Sequence, residues 1–124
     1  MRKQIIIITF LVAVTLSFLI ACRHDPLTPL SNAPAMSFAN DIDPIIISNC
    51  TQSGCHGAGG RSRELVTYSD ILNEVSPGNP HSSNLYDVIT SNEIGTMPKP
   101  PNPRLSNTQI KMIYLWIAQG AQNN

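Results

Sequence analysis

Cys50 and Cys55, with His56 directly after the second, constrain this chain more than any of its other residues; with Cys22 they make up its whole complement of three cysteines. Four residues, Thr51-Gln52-Ser53-Gly54, separate the two thiols. Two such thiols can bond the two vinyl groups of a haem while the neighbouring imidazole ligates its iron, a pattern that ordinarily spaces the cysteines by two residues. Two plainer uses are open to the same residues. The thiols can close a disulfide, which around so short a loop removes little unfolded-state entropy. They can also join His56 on zinc, but a closed zinc site needs a fourth donor, which only His81 or an acid could supply, and adjacent Cys and His chelate one ion awkwardly.

The compartment narrows these choices. Met1-Arg2-Lys3 precedes an apolar stretch over residues 5–21, interrupted only by Thr9, Thr15 and Ser17, and Cys22 follows at once. A basic n-region and an apolar h-region are the layout of a secretory signal. Leu19-Ile20-Ala21-Cys22 closely resembles the lipobox of bacterial lipoproteins, which implies cleavage before Cys22 and lipid upon it. The stretch is marginal for a membrane span, which takes ~20 apolar residues. Residues 1–21 are therefore read as a lipoprotein signal, and the remainder is expected in the cell envelope, facing the periplasm and held to a membrane, preferably the outer one, through Cys22. In that oxidising setting Cys50 and Cys55 must be bridged, metal-bound or attached to haem.

Once Arg2 and Lys3 leave with the signal, six basic side chains face eight acidic ones. So dilute and mildly acidic a surface argues against a nucleic-acid partner. With only three Phe, three Tyr and one Trp in the chain, the material for a core is scarce, and domains of this size commonly rely on a staple or cofactor.

Residues 22–36 hold Pro26, Pro29 and Pro34 without apolar periodicity and read as an extended tether behind the lipidated cysteine. Residues 37–122 read as one small helical domain. Asp43-Pro44 resembles a capped helix start leading through Ile45-Ile46-Ile47 to Cys50, although three β-branched residues in a row also suit a strand. Gly57, Gly59 and Gly60 suggest a flexible loop. A short helix is expected over residues 68–75, capped by Thr67 or Ser69, and the turn Ser76-Pro77-Gly78-Asn79-Pro80 ends it. Another, from Ser82 or Ser83, carries Leu85, Val88 and Ile89 on one face. Residues 91–103 form a proline-rich loop around Met97. The last helix is the clearest: Ser106 and Gln109 make a capping box, Ile110, Ile113, Trp116 and Ile117 share a face, and Gly120 stands at the C-cap. No strand alternation or internal repeat is present, so the fold class is all-α.

In the haem reading His56 is the proximal iron ligand and the opposite face needs a second donor. Met97 leads, because its thioether is a soft neutral donor that raises the reduction potential and its stiff loop holds it. His81 is the runner-up, and Lys99 and Arg104 lie close enough in sequence to pair with propionates. Packing is the plainer reading of Met97, but the surrounding prolines disfavour burial in a regular helix and favour ligation; Met112 reads as helix surface or core, and Met36 lies too near the tether to ligate.

Cys-x-x-x-x-Cys-His-Gly, Leu65-x-x-Tyr68-x-x-Ile71, Pro77-Gly78-Asn79-Pro80, Ser83-x-Leu85-Tyr86-x-x-Ile89, Met97-Pro98 and Ile113-x-x-Trp116-Ile117-x-x-Gly120-Ala121 occur in that order. The series resembles small c-type cytochrome domains related to the Planctomycete-type cytochrome c family, over residues 42–121. The resemblance implies the cytochrome c fold around one haem c, covalent attachment through Cys50 and Cys55, His56 as proximal ligand and Met97 as distal ligand. It departs from the family in the four-residue spacer. The function it implies is a lipid-anchored electron carrier serving redox partner proteins of the envelope, not an enzyme. Two other expectations stand beside it: a haem-free, disulfide-bridged helical module for binding or assembly, and an enzyme with an open iron site, which requires that Met97 not ligate.

Overall fold

A computed structural model describes residues 30–60, 62–93 and 95–124. The expected signal, the lipidation at Cys22 and most of the tether lie outside the described residues. Within them the chain is all-α: helices α1 (Asp43–Cys50), α2 (Tyr68–Leu72), α3 (Asn84–Thr90) and α4 (Asn107–Ala118) surround one core, and no strand is present among the described residues. No described helix is long and apolar enough to cross a membrane.

Helical structure begins a turn before Asp43-Pro44. A π-helical turn, Phe38–Ile42, runs directly into α1, and Ser37 caps it by accepting from the Asn40 N–H while the Asp41 carboxylate accepts from the Ser37 N–H at 2.8 Å. Asp43 is thus already helical and caps nothing; Pro44 sits in the first turn, where its missing N–H is harmless. Ile45 and Ile46 are buried and Ile47 is 51% exposed, a helical progression; strand alternation would put Ile45 and Ile47 on one face.

α4 has the expected capping box, and Ile113, Trp116 and Ile117 are buried with Ile110 partly so. Gly120 follows the C-cap at φ +98°, the left-handed conformation that suits glycine. Trp116 packs on Phe38 at 5.7 Å between centroids, and Phe38 meets Tyr68 edge-on at 5.0 Å. The polar ends of both partners are satisfied: the Tyr68 hydroxyl donates to the Ala121 carbonyl (2.8 Å) and the Trp116 indole N–H to that of Gln122 (3.0 Å).

α2 is shorter than expected, ending at Leu72, but Thr67 caps it in a reciprocal box with Asp70. The Thr67 hydroxyl and then its backbone N–H hold the Asp70 carboxyl below its ordinary range. A 3-10 turn, Pro80–Ser82, precedes α3. Ser83 stands at the cap position of α3 but spends its buried hydroxyl on the preceding loop, donating to Asn79 O and accepting from the Ser76 N–H, both at 2.9 Å. The end of the expected tether also has structure: Leu30–Asn32 forms a 3-10 turn. Pro34 and Met36 are held by the Gln119 amide, at 2.8 and 2.9 Å.

Candidate functional site

Cys50 is the last residue of α1, so the helix itself delivers the first thiol. The chain then turns back on itself. The Cys55 N–H donates to Gln52 O at 2.8 Å and the His56 N–H to Cys50 O at 3.0 Å, while Gln52, Ser53 and Gly54 are exposed. The four-residue spacer is therefore accommodated as an outward bulge, with the backbone of His56 hydrogen-bonded to that of Cys50.

Two of the three glycines after His56, Gly57 and Gly60, are packed against the loop's own backbone, while Gly59 faces open space at φ +69°. A Cβ on Gly57 would stand 2.6 Å from Thr51 O, and one on Gly60 would stand 2.3 Å from Cys55 O. Only hydrogen fits at such separations, so these residues let the loop close against its own backbone.

Behind the loop the His56 Nδ1 lies 2.6 Å from Arg63 O. A carbonyl can only accept, so Nδ1 donates in this contact, and the tautomer that suits it keeps the lone pair on Nε2. That is the arrangement a metal-ligating histidine uses to fix its orientation.

Further lining comes from α3 and the proline-rich loop. Leu85 and Ile89 are buried and Val88 is partly so, and the Met97 N–H donates to Val88 O at 2.8 Å. Together these segments form a cleft of about 410 Å³ lined by Cys50, Cys55, His56, Leu65, Leu85, Val88, Ile89, Met97 and Pro98, with Asn49, Gly54, Ser62, Arg63, Glu74, Asn84, Lys99 and Asn102 completing it. Its volume is in the range of cofactor sites, and so is its character, an apolar interior with convergent polar groups. Burial in this setting, and secondarily the nearby Cys55, push the Cys50 thiol up to about 11, so it is neutral near pH 7.

The four side chains singled out for haem thus line one cleft. His81 does not. Its ring packs against Tyr86 and Tyr114, at centroid distances of 5.5 and 5.9 Å. Lys99 lies on the cleft, but Arg104 does not line it: its guanidinium donates to Ile89 O (3.1 Å) and Ser91 O (2.8 Å) and to the Thr96 hydroxyl. The end of α3 leaves carbonyls without helical partners, and a cationic fork satisfies them.

Residues not singled out from sequence complete the cleft. Arg63 pairs with Glu74, which also accepts from Asn84 Nδ2 at 2.6 Å. Nothing in the residue order marks Arg63 as the supplier of a main-chain acceptor for His56, since any residue has that carbonyl.

Haem, implied by the motif, fits these residues: two thiols, an oriented imidazole and a thioether share an apolar cleft with polar groups. Both thiols are free. Among the described residues, no three His, Cys, Asp or Glu side chains converge as a metal-ion cage would require. The chain matches none of the family models, curated proteins or solved structures with which it was compared, so its own residues alone bear on what the cleft holds.

Proposed function

We propose that the cleft holds one covalently attached haem c and that the protein is a lipid-anchored monohaem cytochrome, akin to the Planctomycete-type family, passing single electrons to redox partner proteins in the cell envelope. The observation that carries this reading is the convergence of Cys50, Cys55, His56 and Met97 on one apolar cleft. When bound, haem supplies the one-electron iron couple.

The residues divide the remaining work. Cys50 and Cys55 would hold the group covalently, each adding its sulfur and its hydrogen across one vinyl double bond, so that no oxidant is needed. Arg63 O keeps the proton on His56 Nδ1 and so reserves Nε2 for iron. Met97, on the same cleft, would offer the iron a soft thioether donor, which favours the ferrous state. Leu65, Leu85, Val88 and Ile89 exclude water, and Lys99 offers a cation for a propionate. With His56 and Met97 both holding the iron, a substrate would find no open position on it, so the function we propose is transfer and not turnover.

Intact-mass measurement under denaturing, reducing conditions tests the attachment. Protein from a host that matures c-type haem should carry one haem, and the Cys50→Ala/Cys55→Ala double variant none. A wild-type mass equal to the bare polypeptide would favour the disulfide-bridged module.

A further inference from the structure

We infer that Arg104 and Thr96 form a latch that fixes Met97 at the cleft, and that releasing it opens the position Met97 fills to an outside ligand. The inference rests on the proposed function, in which Met97 is the second iron ligand. Arg104 is a positioning residue in this account and touches no reacting atom.

Methionine has three rotatable bonds and a shape that adapts to almost any gap, so its own side chain specifies its place poorly. The backbone must supply that precision. The Arg104 guanidinium joins Ile89 O and Ser91 O, at the end of α3, to the Thr96 hydroxyl. The Thr96 hydroxyl in turn donates to Ser91 O at 2.7 Å, and the next amide, that of Met97, donates to Val88 O at 2.8 Å. Met97 is thereby tied to the same helix whose Leu85, Val88 and Ile89 wall the cleft. The cation also lies at the negative end of α3, which strengthens the tie. Removing the guanidinium leaves carbonyls of the helix end and the loop hydroxyl without their shared partner.

The test uses the full-length, haem-loaded protein, with two readouts: carbon monoxide association to the ferrous form, and hydrogen exchange at the Met97 amide. Wild type should resist carbon monoxide and protect that amide. Arg104→Gln and Thr96→Val should bind carbon monoxide at least about tenfold faster, the scale set by losing one hydrogen bond to a charged group, and should lose amide protection; Arg104→Lys should recover part of both. Ser37→Ala, which uncaps the π-helical turn before α1, far along the chain from the latch, should lower stability and move neither readout. The latch is overturned if the Arg104 and Thr96 variants stay closed like wild type, or if Ser37→Ala opens the site as much as they do. A wild type without haem, or one that binds carbon monoxide as readily as Met97→Ala, overturns the underlying reading as well and is told apart by that behaviour.

Discussion

Gly60 shows how closely the site loop is built. Any side chain there meets Cys55 O at 2.3 Å, and what would have to yield is the backbone that carries Cys55 and His56. Gly60→Ala should cost roughly 1–3 kcal/mol, the usual penalty for overpacking, measured by urea unfolding of the haem-free protein, and should reduce haem loading. An alanine variant of unchanged stability would contradict the close packing. Cys50 makes a prediction about pH. Its folded pKa is raised by burial from an ordinary 9.0 to about 11, so the unfolded chain loses this proton first. In haem-free protein the stability from this neutral thiol is complete below about pH 9 and falls as pH rises through about 11, by roughly 3 kcal/mol for that shift. Cys50→Ala should remove that alkaline limb, and so should haem attachment, which leaves no thiol to titrate. The identities of Cys50, Cys55, His56 and Met97 were legible in the sequence because their chemistry is carried by residue type. The roles of Gly60 and of Arg63 O were not, because close approach and main-chain acceptance have no residue code.

Among the elements, α4 was legible in full. Its apolar period, its Ser106–Gln109 box and its terminal Gly120 all agree, and every one of them is present. The start of α1 at Asp43 was legible to within a residue, with Pro44 in the first turn, but the π-helical turn before it was not: it has no periodicity of its own by which to recognise it, so Asp43 looks like the cap that Ser37 in fact provides. The two readings separate experimentally. Ser37→Ala, which removes the actual cap, should cost about 1 kcal/mol, whereas Asp43→Asn should change stability by only a few tenths; the reverse order would return the capping role to Asp43. Arg104 was misread for a related reason. A cation near Met97 in sequence suggests a propionate partner, but the carbonyls at the end of α3 lie within its reach and hold it.

At the scale of the whole molecule, the all-α class was readable from helix signals without strand alternation. The cleft was foreseeable only in its four chemical residues. The rim formed by Arg63, Glu74 and Asn84 joins segments whose adjacency depends on tertiary packing. A small domain that devotes an apolar wall to a cleft should depend on what fills it. Haem-free protein is accordingly expected to melt at least about 10 °C below the loaded form, the shift that a loss of ~2 kcal/mol produces in a domain of this size; equal melting temperatures would mean that the cleft contributes nothing to folding through its occupant. The most direct test of the central claim is a pyridine haemochrome spectrum, recorded after acid-acetone extraction, on protein matured in a host competent for c-type haem attachment. The account predicts a retained c-type α band, at the position for two thioether bonds. A colourless protein, from a host that matures a control cytochrome, would contradict it.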